Sequence, residues 1–532
     1  MADKQLENER QIIETYMQEH GLETTLNDVV NNIVKTRPAD PYVKLGQSLL
    51  RSSETANSIT AVRATEVLNG HGTPALEVEV ETQQGKFRAI SGLGPFDDDE
   101  DRHGGFGLKK AADSVKAVLA DKLVNVDVTN MEAIDALLLG EDAPANAVLA
   151  LSVACCKAAA RHGGLEVHEH VAALAASAGG VLPMPTVAVV NGGSYGTSTS
   201  CPFEEVSVVP VAARSLEDAL EVCASVFRRI PEACAAAGLP KPGLGTRGGY
   251  AVEAATPGDA VKVVHEAIKL AAAEESVTVW IPPTVGLKIW FPHRTVKIAV
   301  DVGAPAYAKQ HEDEEETTVY DLAHFEGLET PPPPKSADEM VEAYFDLLLN
   351  YPVIGLEDPF LSKDIFAFLK LKERLDLEAA RAAEPTDVDG ENPDDMILRL
   401  APLGGDDACT LQLVGDVVCE NTDDIDKYDE QKTINTLCLT LSKGKTVSGA
   451  IDLVKAARSK GWGVVVSAET ARPESDDAFA AHFAVGVRSG QFKAGGLGGL
   501  EHANKYNELL RIAGEANAPP FIAGEYRAAN NV

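Results

Sequence analysis

The chain has 532 residues, of which 45% are hydrophobic and 24% are charged, which is typical of a globular protein. That length exceeds one small domain and is ample for a barrel of about 250 residues with additional domains. The formal net charge of −34 repels nucleic acid and anionic membrane surfaces, so we exclude both as partners.

The start of the chain and its cysteines indicate a cytoplasmic protein. The first residues, MADKQLENER, are polar, unlike a secretory signal, and no apolar run of about 18 residues predicts a membrane span. The eight cysteines include no CxxC spacing, so we expect buried free thiols in a reducing compartment.

Residues 1–55 predict a short helical region. Apolar residues recur at helical spacing on both sides of Gly21, and RPADP at 37–41 predicts a turn before a third helix. Helices this short cannot bury their apolar faces alone, so we expect self-association; packing on the main body is the alternative. The apolar positions are Ile12, Ile13, Tyr16, Met17, Leu22, Leu26, Val29, Val30, Ile33, Val34, Leu45, Leu49 and Leu50.

Residues 58–185 predict a separate α+β domain. Alternating apolar and polar residues predict a meander of strands with turns at 69–72 and 83–85. Two helical segments follow, LKKAADSVKAVLADKL and ANAVLALSVACCKAAARHGG. A run of strands followed by a run of helices is typical of an α+β domain.

Residues 186–532 predict parallel strands with helices outside. Short apolar strands alternate with helical stretches, which is the pattern of consecutive strand–helix units. Two acidic stretches, QHEDEEETT with the later PPPP and AAEPTDVDGENPDDM, predict surface insertions. The strand segments are VKIAVDV (296–302), VIGLEDP (353–359), LQLVGDVV (411–418), TLCLTL (436–441), GVVVSAE (463–469) and FKAGGL (492–497).

Three of these strands end in a carboxylate. Asp301, Glu357 and Asp416 occupy the ends, and the C-terminal ends of parallel barrel strands face one site. Three converging carboxylates repel one another unless a cation lies among them, and hard oxygen ligands select Mg²⁺. The alternative is that such an aspartate only caps the helix that follows.

A series of motifs resembles the enolase family, in the family's order, over about residues 60–525. YPVIGLEDPF resembles the family's YP(V/I)xxIEDPF, LQLVGDVV resembles IQIVGDD, GWGVVVSAET resembles GWGVMVSHRS, and SGQFKAGG resembles TGQIKTG. The resemblance implies an α+β cap domain followed by a modified (β/α)8 barrel. It also implies the reversible dehydration of 2-phosphoglycerate to phosphoenolpyruvate, in which a base removes a proton next to a carboxylate and magnesium stabilises the anionic intermediate.

The resemblance implies a retained magnesium site. The family's three metal ligands fall on Asp301, Glu357 and Asp416, and each of these residues offers carboxylate oxygens. The family's substrate-binding lysine falls on Lys493. The second aspartate of the family's GDD falls on Val417, which removes one acceptor beside the ligands.

The positions that the family uses for proton transfer are altered. The family's base, the lysine of LLLKVNQ, falls on Thr440, which cannot accept a carbon-bound proton near neutral pH; Lys443 or Lys445 beyond the strand is the alternative base. The acidic residue of the family's GDEGG falls on Arg247, which cannot donate a proton to a leaving hydroxide. The histidine that follows the family's NGGS falls on Tyr195.

The phosphate-binding positions are altered as well. The HRS of the family falls on Ala468, Glu469 and Thr470, so a carboxylate stands where an arginine should bind the phosphate. One further carboxylate of the family falls on Glu204 or Glu205, because the CPFEEVSVVPV segment aligns with QEF…LPV in two ways.

The segment YMQEHGLETTLNDVVNNIVKTRPADPYVKLGQSLL, at 16–50, resembles the dimerisation–docking module of RIIα-type and DPY-30-type proteins. In that family two chains form a four-helix bundle, which binds an amphipathic helix of an anchoring protein, commonly in cilia and signalling scaffolds. The resemblance implies a homodimer with an anchoring or axonemal partner in a cilium or flagellum.

Together these patterns predict an enolase-like pseudoenzyme that acts as a dimeric scaffold. Loss of a general base alone costs roughly 10²–10⁴-fold in rate, and Glu469 would repel a phosphate. The alternative is an active, magnesium-dependent phosphopyruvate hydratase of glycolysis, or a related lyase that acts on a different carboxylate.

Overall fold

The computed structural model describes residues 2–52, 57–70, 72–92, 94, 103–197, 201–254, 256–275, 296–310, 318–322, 333–382, 411–468 and 477–523. The two predicted acidic insertions lie almost entirely outside these residues. None of the helices within these ranges has both the length and the apolar character needed to cross a membrane.

The N-terminal region consists of helices, as predicted: α1 (Ala2–Glu19), α2 (Leu22–Thr36) and α3 (Pro41–Arg51). Gly21 separates α1 from α2 in a left-handed conformation with φ of 55°, which glycine adopts without steric cost. Asp40 begins α3 because its side chain accepts hydrogen bonds from two amides of the first turn, at 3.0 and 3.1 Å. No residue of α2 is buried, so its apolar face remains exposed in the single chain.

An antiparallel sheet and a group of helices form the cap domain. Its strands β1 (Ile59–Leu68), β2 (Pro74–Thr82) and β3 (Gly85–Ser91) lie in that order, with turns where the sequence predicts them. Its longest helix, α7 (Ala145–Gly163), packs on β2 and β3 and buries Cys155 and Cys156. The helical elements are a 3₁₀ turn (His103–Gly105), α4 (Lys109–Ser114), a π-helical turn (Val115–Leu119), α5 (Ala120–Leu123), α6 (Met131–Leu139), α7 (Ala145–Gly163) and α8 (Val167–Ala175).

The rest of the chain alternates between strands and helices. The strands are β4 (Met184–Asn191), β5 (Glu205–Val209), β6 (Gly243–Leu244), β7 (Tyr250–Ala251), β8 (Lys297–Asp301), β9 (Ala308–Gln310), β10 (Thr318–Tyr320), β11 (Lys335–Ser336), β12 (Val353–Glu357), β13 (Gln412–Gly415), β14 (Thr436–Leu439), β15 (Gly463–Ser467) and β16 (Gln491–Lys493). The helices are α9 (Leu216–Ala236), α10 (Pro257–Glu275), α11 (Ala337–Asn350), α12 (Ile365–Ala382), α13 (Thr422–Gln431), α14 (Leu441–Gly444), α15 (Val447–Ser459), α16 (Phe479–Gly486) and α17 (Leu500–Ala513), with 3₁₀ turns at Gly193–Tyr195 and Ala304–Ala306.

Eight strands close into a barrel, which confirms the expected fold class. The order is β4, β5, β8, β12, β13, β14, β15 and β16, and β16 pairs with β4 to complete the circle. All neighbours are parallel except that β5 is antiparallel to both β4 and β8. The start of β5 therefore lies at the same end as the C-terminal ends of the other strands, and Glu205 pairs in register with Asp301.

Partly buried polar contacts hold the cap against the barrel's outer elements. The ammonium of Lys157 in α7 donates to both carboxylate oxygens of Asp477, at 2.9 and 2.8 Å. The same carboxylate accepts from the amide of Ile90 in β3, at 3.1 Å. Asp135 in α6 accepts from the amide of Ser448 in α15, at 3.0 Å. The cap is thus attached at several points to elements that also surround the carboxylate end of the barrel.

Candidate active site

The predicted strand-end carboxylates meet at one end of the barrel. Asp301 ends β8, Glu357 ends β12, and Asp416 directly follows β13. Glu357 and Asp416 are buried, and Asp301 is partly buried. Their convergence follows from the parallel arrangement, which brings the C-terminal ends of these strands together.

Lys493, the last residue of β16, connects several of these carboxylates. Its Nζ lies 2.7 Å from Oδ2 of Asp301, 2.9 Å from Oε1 of Glu357 and 3.4 Å from Oε2 of Glu205. Burial alone would lower the pKa of Lys493, but the Asp301 and Glu357 carboxylates outweigh it, so the pKa lies well above its ordinary value. Lys493 is therefore a fixed cation among carboxylates.

Lys443, in the short helix α14, supplies a second fixed cation. Its Nζ forms an ion pair with Oδ1 of Asp416 at 2.7 Å. It also donates to the backbone oxygens of Asp416 at 2.8 Å, Cys438 at 2.7 Å and Cys419 at 3.2 Å. Burial would lower the pKa of Lys443, but Asp416 outweighs it and the pKa is raised; burial would likewise raise the pKa of Asp416, but Lys443 outweighs it and that pKa is lowered.

Arg247 brings a third cation from the turn between β6 and β7. This buried arginine donates from Nε to Oε1 of Glu205 at 2.8 Å, and its guanidinium carbon lies 5.1 Å from the ring centroid of Tyr195. Burial would raise the pKa of Glu205, but Lys493 and Arg247 outweigh it and the pKa is lowered. The guanidinium is therefore the charge partner of a fully buried carboxylate.

Glu204 lies beside this network. The hydroxyl of Ser194 is 2.9 and 2.8 Å from its two carboxylate oxygens. Burial and the nearby charge of Asp301 raise the pKa of Glu204 to about 7. Gly303, with φ of 59°, leaves the space that Glu204 occupies, because a Cβ there would lie 2.2 Å from Cγ of Glu204. Of the two predicted carboxylates, Glu205 contacts Lys493 and Glu204 contacts Ser194.

Asp358 positions the segment that carries Asp416. Its carboxylate accepts hydrogen bonds from the amides of Asp416 at 2.8 Å and Val417 at 2.7 Å. Its backbone has a φ of 45°, which is strained for a residue other than glycine. Burial, followed by the charge of Asp416, raises the pKa of Asp358 to about 7. The strained turn thus holds two neighbouring strand ends together.

The remaining predicted positions are placed as follows. Thr440 directly follows β14, is buried, and has its Oγ1 3.0 Å from Oγ of Ser442. Ala468 directly follows β15 and is also buried. Glu469 and Thr470 lie outside the described residues. The predicted base position therefore carries a hydroxyl that is engaged with a neighbouring hydroxyl.

The acidic end of the barrel offers oxygen ligands for a divalent cation. Within the described ranges, possible ligand atoms of Glu357, Asp416 and Cys438 lie within 4.8 Å of one another. Asp301 forms an ion pair with Lys493 and is not part of that group. The carboxylate donors fit magnesium, which prefers hard oxygen ligands. The same carboxylates, however, are already paired with two ammonium groups.

The sequence pattern does not predict these ion pairs. It gives Lys443 only as an alternative base and Arg247 only as a lost acid, whereas each is the partner of a buried carboxylate in the structure. A signal was available, because a cation placed among acidic strand ends needs an anionic partner when it is buried. The choice of partner depends on side-chain direction, which the sequence pattern does not contain.

Two family models and two known proteins that the chain matches all belong to one family. The family model described as enolase, C-terminal TIM barrel domain, matches residues 179–380 and 403–530, and that described as enolase, N-terminal domain, matches residues 59–171. A protein named enolase from Eimeria tenella is 30% identical over 495 residues, covering 88% of this chain and 98% of the relative. A protein named cytosolic enolase 3 from Arabidopsis thaliana is 26% identical over 535 residues, covering 96% of this chain and 98% of the relative.

The residues that these matches cover can be compared with the acidic insertion and with the N-terminal helices. The barrel match is interrupted between residues 380 and 403, where the second predicted acidic insertion lies. The Arabidopsis match leaves 4% of the 532 residues uncovered, about 21 residues, so it includes part of the helical region before residue 53. From the closed barrel, the α+β cap and these matches, we conclude that the chain belongs to the enolase family.

Proposed function

We propose that this enolase-family protein has little or no capacity to dehydrate 2-phosphoglycerate and acts as a dimeric scaffold. The observation that carries the proposal is Thr440 at the base position, because its buried hydroxyl contacts Ser442 and cannot take a carbon-bound proton near neutral pH. Lys443 is a poor substitute, because Asp416 raises the pKa of this lysine and so keeps the amine protonated.

The acid positions support the same proposal. The guanidinium of Arg247 is paired with Glu205, and an arginine in a protein does not release its proton. Burial raises the pKa of Tyr195 well above its ordinary value, so this phenol also keeps its proton near neutral pH. Neither residue is suited to give a proton to a leaving hydroxide.

Of the family's chemistry, the proposal keeps the site for a divalent cation. Asp301, Glu357 and Asp416 would hold the magnesium ion, which when bound supplies positive charge toward an anionic ligand. Lys493 provides a further cation beside them. Such a site is suited to hold a divalent cation, whereas the groups that would move protons have been replaced.

A working lyase is the second candidate function. The relatives that are named enolase align over 98% of their own length. The residues at the metal and lysine positions, Asp301, Glu357, Asp416 and Lys493, are all suitable for the family's reaction. These observations favour residual turnover of 2-phosphoglycerate, or turnover of a related carboxylate, if a base reaches the substrate.

The scaffold part of the proposal rests on the N-terminal helices. Leu26 is 42% exposed, Val30 is 46% exposed and Tyr42 is 83% exposed, so apolar side chains that would be covered in an ordinary packed extension face solvent. A second copy of residues 1–55 would cover them in a four-helix bundle. The outer groove of that bundle would bind an amphipathic helix of an anchoring protein, with a cilium or flagellum as the proposed location.

In this proposal the chain has three functional parts. Residues 1–55 dimerise and dock, residues 58–185 form the cap domain, and residues 186–532 form the barrel. The barrel supplies a stable body and the helices supply the attachment. The docking resemblance and the exposed apolar faces support this division.

Formation of phosphoenolpyruvate from 2-phosphoglycerate tests the catalytic part directly. The full chain with excess Mg²⁺ is compared with its Asp416→Ala variant, because any contaminating host enolase contributes equally to both preparations. We expect both to give the same background rate. Turnover by the wild-type chain that disappears in the Asp416→Ala variant would contradict the scaffold proposal.

A further inference from the structure

Lys443 has surroundings that resemble those of a bound metal ion. Its ammonium contacts Oδ1 of Asp416 and the backbone oxygens of Asp416, Cys419 and Cys438, at distances of 2.7 to 3.2 Å. A shell of carboxylate and carbonyl oxygens is what hard cations prefer. We propose that the Lys443 ammonium is a built-in cation that competes with a divalent metal ion for Asp416 and weakens metal binding at the barrel end.

The backbone fixes the position of this ammonium. Lys443 lies in the four-residue helix α14, between β14 and α15. The next residue, Gly444, packs so closely on α15 that an added Cβ would lie 2.1 Å from the amide nitrogen of Ala450. The carbonyl partners come from the loop after β13 and from β14. The lysine is thus held in place by packed structure.

The charge of Lys443 opposes a divalent cation at the same carboxylate. A metal ion bound to Asp416 would lie within a few ångströms of a fixed positive charge, and like charges repel strongly where water is excluded. To avoid this repulsion the metal must displace the ammonium from its oxygen partners. The side chain of Lys443 is only 9% exposed, so displacement would break these bonds without an easy path to solvent.

The second ammonium adds to this effect. Lys493 forms ion pairs with Asp301 and Glu357, the other two carboxylates that would hold the metal. Each of the three carboxylates therefore has a protein cation as its partner. Repulsion between these charges does not depend on whether the site turns over substrate, so a metal titration and the phosphoenolpyruvate assay test separate properties of the site.

Calorimetric titration of Mg²⁺ and of Mn²⁺ into the metal-free full chain tests the inference. Lys443→Met removes the charge and keeps the length of the side chain. Lys445→Met is the matched control, because it removes the same charge two residues further on, from an exposed side chain. We expect Lys443→Met to lower the Kd by at least about tenfold, which is 1.4 kcal/mol, and Lys445→Met to leave it unchanged.

Two further variants complete the test. Lys443→Gln, which keeps a hydrogen-bond donor without the charge, should show the same gain if Lys443→Met folds poorly, and its thermal midpoint should rise more with Mg²⁺ than that of the wild type. Adding Asp416→Asn to either variant should abolish the gain. Equal metal affinity in wild type and both uncharged variants, an equal gain in Lys445→Met, or a gain that survives Asp416→Asn would overturn the inference.

Discussion

Each cation buried at the carboxylate end of the barrel has an anionic partner among the described residues. Taking a charge out of water is costly unless an opposite charge and hydrogen bonds replace the water, so these groups are stable only as pairs. The pairs are Lys493 with Asp301 and Glu357, Lys443 with Asp416, and Arg247 with Glu205.

The sequence predicts the members of this network better than their pairing. Asp301, Glu357 and Asp416 were predictable because each ends an apolar segment with the pattern of a buried strand. The partner of Asp301 was not, because Lys493 lies 192 positions further along the chain. Such a contact depends on barrel closure and on the direction of each side chain, and neither is contained in a local pattern.

Glu204 gives a pH-dependent prediction. The pKa of its carboxyl is raised from 4.5 to about 7 by burial and by Asp301, so the folded chain binds this proton more tightly than the unfolded chain does. Stability conferred by the bound proton is complete below pH 4.5 and is lost as the pH rises to about 7. Glu204→Gln cannot ionise and should be stabilised relative to wild type across this range, by up to about 3 kcal/mol.

Urea unfolding of both proteins in EDTA at several pH values measures this difference. Asp358 titrates in the same range, but it is present in both proteins and its contribution cancels. The expected difference grows between pH 4.5 and 7 and is constant above. A difference that does not change with pH would show that the Glu204 carboxyl does not titrate as described.

At the scale of elements, regular patterns were predicted closely. The six strand segments predicted in the barrel half correspond to β8 and to β12 through β16. The helix expected over LKKAADSVKAVLADKL contains a π-helical turn at Val115–Leu119. The extra residue of a π turn changes the helical period only locally, so a pattern of apolar spacing does not reveal it.

A pattern of repeated strand–helix units does not predict the direction of β5. Consecutive units of that kind imply parallel strands, yet β5 is antiparallel to both of its neighbours. The connection gives no signal of this direction, because the 13 residues between the end of β4 at Asn191 and the start of β5 at Glu205 would also be enough for a crossover between parallel strands. This reversal brings Glu205 to the carboxylate end of the barrel.

The exposed face of α2 gives a prediction at the scale of elements. If a second copy covers Val30, Val30→Asp removes about 1.5–3 kcal/mol of apolar burial per chain and places a charge in the contact. Hydrogen–deuterium exchange of the full-length protein should then show that residues 1–55 lose protection in this variant. In the wild type, this protection should increase with protein concentration.

Asn31→Asp is the matched control, because it introduces the same charge at an exposed polar position of α2 that is turned about 100° away from Val30. It should leave the exchange of residues 1–55 unchanged, and neither variant should alter exchange in the barrel strands. Protection that is independent of concentration and equal in both variants would indicate that α1–α3 pack on their own chain.

The whole molecule keeps the family's architecture, while its sequence differs from the family's motifs at particular positions. The cap is fixed to the barrel's outer elements through Asp477 and Asp135, and the strand-end carboxylates converge as the fold requires. At the predicted proton-transfer positions lie Thr440, whose hydroxyl contacts Ser442, and Arg247, whose guanidinium pairs with Glu205. The proposed loss of the reaction is compatible with a stable fold, because the Arg247 guanidinium and the Thr440 hydroxyl each have a partner within the protein.

Exchange of the proton at C2 of 2-phosphoglycerate with solvent tests this account most directly, because it detects removal of the proton even where no product accumulates. The substrate is incubated with the full chain and Mg²⁺ in D₂O, and the C2 proton signal is followed by NMR. We predict the same slow signal loss as in a sample without protein. Signal loss that rises with protein concentration and is abolished in the Asp416→Ala variant would show that a working base remains and would contradict the account.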